Sequence, residues 1–277
     1  MLRKSIISLA LATAIAGIYF ILSYKDAIIA NRNNHESYPF YTTGLNDEHL
    51  IAHAGGAFEN NIYTNSLEAV EGSIKEGRKF IEIDLLETTD GKYIAGHDWE
   101  LVNKMVGRSG DKPMSSEEFL SAKLYGKYTP MGEKQIVELF EKYPDWIMVT
   151  DKSRDVTKIA RTFPYPDRMI VQVFGLVGYM KALKLGLKYP TLRLKGGRRG
   201  VKEIYKVFMD WINVKSVILG EKSFDKNRKY IKELHDKGIT VILYGNPRYQ
   251  IVDNPEEIKK YAGEYIDLVD TDFLKSL

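Results

Sequence analysis

Phe80-Ile81-Glu82-Ile83-Asp84-Leu85-Leu86-Glu87-Thr88-Thr89-Asp90-Gly91-Lys92-Tyr93-Ile94-Ala95-Gly96-His97-Asp98 reads as two strands joined by a turn. Phe80–Leu86 and Tyr93–His97 are β-rich, only Glu87 to Lys92 separate them, and Asp90-Gly91 is a strong turn signal. A crossover between parallel strands needs about a dozen residues or more, so this pair is predicted as an antiparallel hairpin. Around it, strand candidates alternate with amphipathic helical stretches: Leu50–Ala54 before it, then Trp146–Thr150, Met169–Phe174, Thr191–Leu194, Ser216–Leu219, Thr240–Tyr244 and Asp267–Val269. Such alternation implies parallel strands with helices outside. With the hairpin strand set aside, eight parallel strands remain, the number that closes a barrel. The expected fold is therefore α/β, a single (β/α)8 TIM barrel carrying an extra hairpin strand after its second barrel strand. An open doubly wound sheet is the rival, but the chain has neither of the glycine-rich phosphate loops that would support it.

Composition agrees with one substantial core. A chain of 277 residues, 44% hydrophobic and 28% charged, is no disordered or collagenous polymer. Forty basic against 37 acidic residues, a net charge of +3, is too weak a bias to argue for nucleic acid. The absence of cysteine excludes disulfides, thiol nucleophiles, iron–sulfur clusters and thiolate zinc sites together.

Ahead of the barrel, Arg3 and Lys4 precede an uncharged stretch from Ser5 to Tyr24. At about 1.5 Å per residue it is long enough to span most of a bilayer core. Ala14 and Ala16 form an A-x-A, yet bulky residues continue beyond it, which favours an uncleaved anchor over a cleaved signal peptide. The organisation expected is an N-terminal hydrophobic helix over 1–24, a polar tether over 25–47 and the barrel over 48–277. Positive charge before the apolar segment places the barrel outside the cytoplasm, membrane-anchored, or secreted or periplasmic if the segment is cleaved.

In such a barrel the chemistry gathers where strands end. Reading those ends in order gives His53, then Glu82 and Asp84, then His97-Asp98, then Asp151. Glu82 and Asp84 alternate with Ile81, Ile83 and Leu85, so both carboxylates share one face and enter the barrel mouth side by side. Two buried carboxylates repel each other and resist desolvation, so they need a cation or shared protons. Oxygen donors without cysteine favour one hard divalent ion, Mg²⁺ or Ca²⁺, with Asp151 as a third ligand. A metal-free carboxylate pair working as glycosidase acid and base is the competing reading. His53 and His97 could take and give protons on either side of a cation-bound phosphate. His235, between Lys232 and Asp236, reads as a solvated surface group.

These residues resemble the glycerophosphodiester phosphodiesterase family, within the wider group of barrel phosphodiesterases that includes phosphatidylinositol-specific phospholipase C. The matching pieces are His53-Ala54-Gly55-Gly56, Asn65-Ser66-Leu67-Glu68-Ala69, Glu82-Ile83-Asp84, Asp90-Gly91, His97-Asp98, Val171-Gln172-Val173-Phe174 and Thr271-Asp272. The resemblance implies a metal-dependent phosphodiester hydrolase, with His53 and His97 as the acid–base pair and Glu82 and Asp84 holding the metal. Its substrate would be a glycerophosphodiester or a related lipid or polymer head group. The chain departs from the family in three places. Ala54 stands where members carry Arg, Thr64 where they carry Glu, and Asp151-Lys152-Ser153 where they carry Glu-x-Lys. These departures motivate an alternative, a non-catalytic envelope barrel that holds a phosphorylated or polysaccharide ligand. A lipase resembling phosphatidylinositol-cleaving enzymes or sphingomyelinase D is a variant of the leading reading.

Four further residues are candidates for substrate contact. Lys152 would touch phosphate if the strand ends at Asp151 and would otherwise point away. Arg193 alternates with Leu192 and Leu194, so it enters the mouth as an anion clamp or a salt-bridge partner. Gln172, in an apolar strand, either bonds its interior neighbours or supports the site. Trp99 is either a lid over the substrate or a packed loop residue. The basic run Lys195 to Arg199 follows the Arg193 strand and so lies on the catalytic side.

Overall fold

The computed structural model describes residues 19, 22–194, 202–245, 253, 254, 256, 258 and 265–272. Most of the expected N-terminal anchor, the basic run Lys195–Arg199 and most of the last expected helix lie outside these residues.

The strands are β1 (Leu50–Ala52), β2 (Phe80–Glu87), β3 (Tyr93–Ala95), β4 (Ile147–Asp151), β5 (Met169–Val173), β6 (Tyr189–Arg193), β7 (Ser216–Gly220), β8 (Thr240–Tyr244) and β9 (Leu268–Thr271). All but β3 run parallel and pair in the order β1-β9-β8-β7-β6-β5-β4-β2, and β2 pairs back to β1 to close the barrel. β3 pairs only with β2, antiparallel, with Leu85 opposite Ala95 and Glu87 opposite Tyr93. The fold is thus the predicted TIM barrel with one hairpin strand outside it. The hairpin turn is pinned from below, because the Asp90 carboxylate accepts hydrogen bonds from the Ser116 backbone (2.8 Å) and hydroxyl (2.6 Å).

The α-helices with described bounds are α1 over 22–33, α2 (Leu67–Lys75), α3 (Trp99–Met105), α4 (Ser116–Ser121), α5 (Glu133–Lys142), α6 (Val156–Thr162), α7 (Leu176–Lys184), α8 (Glu203–Ile212) and α9 (Glu221–Asp236). None of them is long and apolar enough to cross a membrane. Strand alternation sorts the core into two layers. Ile81, Ile83 and Leu85 of β2 face the helical shell, together with Val171, Val173 and Leu192. The interior is filled by Ile51, Phe80, Ile147, Val149, Ile170, Ile218, Ile242 and Leu268. The inward positions above this plug are polar, and they form the mouth.

Residues 25–47 differ from the expected tether, because they pack against the barrel. Tyr38 and Phe40 are buried beneath it, edge-on to Tyr189 at 5.2 and 5.0 Å, and Phe40 also meets Phe80 at 5.8 Å. Asn31 Nδ2 donates to the carbonyls of Ile212 and Asn213 at the end of α8, at 2.8 and 2.7 Å. Lys215 Nζ donates to Asn34 O and Glu36 O. His235 belongs to the same seam and is not a solvated group. Its ring is buried, stacks on Tyr41 at 4.6 Å, and places Nε2 2.9 Å from Thr42 O and 3.3 Å from Asp267. The physical reason is the open lower end of the barrel, whose apolar interior needs a cover. Tyr38-Pro39-Phe40-Tyr41 is an aromatic run inside an otherwise polar stretch, and that was the available signal.

Candidate active site at the barrel mouth

Glu82 and Asp84 are carried into the mouth by the alternation of β2, and Asp151 arrives at the last position of β4, directly opposite Asp84 in the strand register. One carboxylate oxygen from each of the three lies within 4.8 Å of the others. Glu82 and Asp84 are buried. Burial, and then the charge of Asp84, push Glu82 well above the usual carboxylate range and lift Asp151 to about 7. Glu82 Oε1 and Asp151 Oδ1 have no hydrogen-bond partner among the described residues. Hard oxygen donors with unused lone pairs, driven toward neutrality by their own repulsion, fit a divalent cation.

Two short loops hold this cluster in place. After β1 the chain turns at His53–Gly55, and Ala54 sits in the left-handed region (φ 47°, ψ 40°). That conformation is costly for a residue with a side chain, and here it directs the Ala54 N–H to Glu82 Oε2 at 2.8 Å. Asn65, also left-handed at φ 48°, donates from Nδ2 to Asp84 Oδ2 (2.9 Å) and accepts the Asp84 N–H at its Oδ1 (3.1 Å). Thr64, in the family's Glu position, is buried and bonds Ser66.

Both histidines line the cavity that holds the cluster. His53 Nδ1 lies 2.6 Å from Asp272 Oδ1, and its Nε2 is 3.9 Å from Asp270 Oδ2. Burial works against the charged ring, but Asp270, the hydrogen bond that the ring donates to Asp272, and Glu82 outweigh it and lift His53 to about 11. His97 Nδ1 lies 2.6 Å from Asp98 Oδ2. Asp98 is itself held in place, because its other oxygen caps α3 through the Leu101 N–H at 2.8 Å. β4 does end at Asp151. Lys152 turns left-handed (φ 56°) and swings its ammonium back over the acids, 2.9 Å from His97 Nε2, 3.5 Å from Asp84 Oδ1 and 3.9 Å from Asp151 Oδ2.

Three participants were not assigned a role from sequence. Tyr63 stands edge-on between the two imidazoles, with ring centroids 4.6 Å from His53 and 5.2 Å from His97. Its position depends on a left-handed backbone at φ 60°, for which the sequence carries no signal. Asp270 and Asp272 reach His53 from β9 and its end. Leu268 is an interior residue, so alternation sends Asp270 inward as well. Stopping the last strand candidate at Val269 hid it.

The opposite side of the same cavity, which has a volume of about 720 Å³, holds Gln172 on β5 and Arg193 on β6. Arg193 Nη2 donates to the Tyr244 hydroxyl at 2.7 Å, and the guanidinium lies 5.5 and 5.0 Å from the ring centres of Phe174 and Tyr244. Tyr244 can lie there because residue 220 is glycine; a Cβ at that position would be 3.1 Å from the tyrosine ring. Trp99 corrects the lid expectation. It is the first residue of α3 and is buried with Ile94, Val102 and Phe119, away from the cavity, while Leu101 and Lys104 of the same helix line it. The Asp98 cap sets this rotation of the helix.

Residues 53–160 match the Glycerophosphoryl diester phosphodiesterase family. The match covers about two fifths of the chain. The matched segment contains both histidines, the three acids and Lys152. Solved structures agree in fold. The chain resembles a glycerophosphoryl diester phosphodiesterase from Parabacteroides distasonis with a TM-score of 0.65 at 16% identity, covering 91% of this chain and 89% of that one. A glycerophosphodiester phosphodiesterase from Thermotoga maritima gives 0.62 at 22% identity, over 82% of this chain and 95% of that one. An Oleispira antarctica phosphodiesterase, solved with its product sn-glycerol-3-phosphate, gives 0.63 at 13% identity, over 82% and 93%. A search of curated protein sequences found no match.

Proposed function

We propose that this chain is a metal-dependent hydrolase of glycerophosphodiesters or of a related lipid or polymer head group, with His53 and His97 as its acid and base. The observation that carries the reading is the convergence of two differently wired imidazoles on one acidic cluster. Glu82, Asp84 and Asp151 would hold a single Mg²⁺ or Ca²⁺. When bound, such an ion supplies positive charge to phosphoryl oxygens as negative charge builds on them.

The side chains divide the remaining work. Lys152 presents its ammonium to the cavity and would bind a phosphoryl oxygen. Its hydrogen bond to His97 requires an unprotonated Nε2, so His97 is poised to take a proton from the attacking water or substrate hydroxyl. Asp98 holds the other nitrogen and fixes the ring. His53, flanked by Asp270 and Asp272, retains its proton and can donate it to the departing alcohol. The different partners of the two rings, acids around His53 and an ammonium beside His97, make such a division of roles. Tyr63 keeps the two rings apart.

The N-terminal apolar sequence supports anchoring in a membrane with the barrel outside the cytoplasm. The exposed apolar residues Ile204, Val207, Phe208 and Trp211 on α8, beside the end of α1, also suit a protein held near a lipid surface.

The test uses the full chain in detergent with Mg²⁺ or Ca²⁺ and a panel of glycerophosphodiesters. Release of glycerol phosphate or free alcohol is expected, falling at least about 100-fold in His53→Ala and in His97→Ala. Turnover indifferent to both substitutions would refute the assignment.

A further inference from the structure

On the strands around the mouth, β2, β4 and β9 against β5 and β6, the buried carboxylate oxygens and nitrogens without hydrogen-bond partners lie on different walls. On the β2–β4–β9 side they are acceptors: Glu82 Oε1, Asp151 Oδ1 and Asp270 Oδ1. On β5 and β6 they are donors: Gln172 Nε2 and Arg193 Nε, which among the described residues have no acceptor. Gln172 is only 3% exposed, so its amide cannot be satisfied by simply facing bulk water. Register places the two donors on one wall. Gln172 pairs with Thr191 and Val173 with Leu192, so Arg193 lies one step further along the same inward face. The polar partner of Arg193 is the neutral phenol of Tyr244, and its flanks are aromatic faces. No ion pair to it occurs among the described residues. At the next strand end the buried carboxylate of Glu221 and the side chain of Lys222 also line the cavity. Across the cavity from Glu82, Asp84 and Asp151, the Gln172–Arg193 wall therefore presents N–H donors and a guanidinium that has no ion pair among the described residues.

Buried donors without acceptors are rare, and a charged one is the most costly kind. A guanidinium fork beside a carboxamide suits a carboxylate or phosphate, whose paired oxygens can accept from both. We propose that the Gln172–Arg193 wall is an anion subsite, so that the favoured substrate is a phosphodiester bearing a second anionic group beyond the scissile phosphorus. The inference rests on the phosphodiesterase reading for the word substrate, but the subsite itself can be tested without turnover.

The probes are phosphonoalkanoates, in which a phosphonate and a carboxylate are separated by one to six methylenes. Each is compared with the alkylphosphonate of equal length that lacks the carboxylate. Binding to the full chain with Mg²⁺ or Ca²⁺ is measured by calorimetry. At one chain length the carboxylate is expected to tighten binding about tenfold or more, the size of a charge-assisted hydrogen bond. Arg193→Gln should abolish that gain, and Arg193→Lys, which keeps the charge and loses the fork, should retain only part of it. A parallel series ending in a second phosphonate tells whether carboxylate or phosphate is preferred. A carboxylate gain at no chain length, or a gain that survives intact in both variants, overturns the proposal. If the gain appears but no diester is hydrolysed, the catalytic reading falls and the anion subsite stands. If diesters are hydrolysed without any such gain, the reverse holds.

Discussion

Lys152 Nζ lies 2.9 Å from His97 Nε2 and 3.5 Å from Asp84 Oδ1, so one ammonium joins the proton-handling ring to the acidic cluster. Asp151 and Asp84 outweigh the burial that would otherwise lower the pKa of Lys152, and keep it charged. Lys152→Met should lower kcat/KM by roughly 100-fold or more, the range for removing one preorganised charge partner of a developing oxyanion. Lys152→Arg should restore part of it. Steady-state kinetics on any turned-over diester checks both.

Cation binding is expected to stabilise the fold. At a concentration about 100 times its Kd, an ion that binds only the folded state adds about 2.7 kcal/mol. Melting curves with and without Mg²⁺ or Ca²⁺ should show that increase in the wild type and little of it in Asp84→Asn. An equal shift in both would place the ion elsewhere.

Without metal, Asp151 makes stability fall with rising pH. Burial and Asp84 lift its carboxyl to about 7 in the folded protein, against about 3.9 in an unfolded chain. Below about 4 both states are protonated and nothing is lost. Between about 4 and 7 the unfolded state ionises first, so folding is progressively penalised. Asp151→Asn, in metal-free buffer, should therefore gain stability over the wild type as pH rises through this window, by on the order of 2 kcal/mol at pH 8. Denaturant titrations at pH 4 and pH 8 give the difference. A variant equally stable relative to wild type at both values would contradict it.

The floor of the barrel yields a stability prediction away from the chemistry. Phe40→Ala should cost about 3–5 kcal/mol, as expected for a buried aromatic deleted from a packed cluster. A chain begun at residue 48 loses Tyr38 as well and should fold poorly, whereas one begun at residue 22 keeps the seam. Thermal melts of the three proteins are sufficient.

Much of this molecule follows from local pattern. A period-2 alternation is a property of a strand by itself, so Glu82 and Asp84 could be placed together at the mouth from the residues around them. The six-residue gap at Asp90-Gly91 made the hairpin, and through it the strand count, a matter of chain reach. His53, His97 and Asp151 were legible as strand ends for the same reason. Tertiary closure decided what those residues touch. His53 meets Asp272 across 219 positions of sequence because β9 pairs with β1. Lys152, Ala54, Asn65 and Tyr63 are aimed by left-handed backbone turns, which only the surrounding packing can hold. Tyr38 and Phe40 became a floor because a closed barrel has an open lower end, a feature that exists only once all eight strands have met.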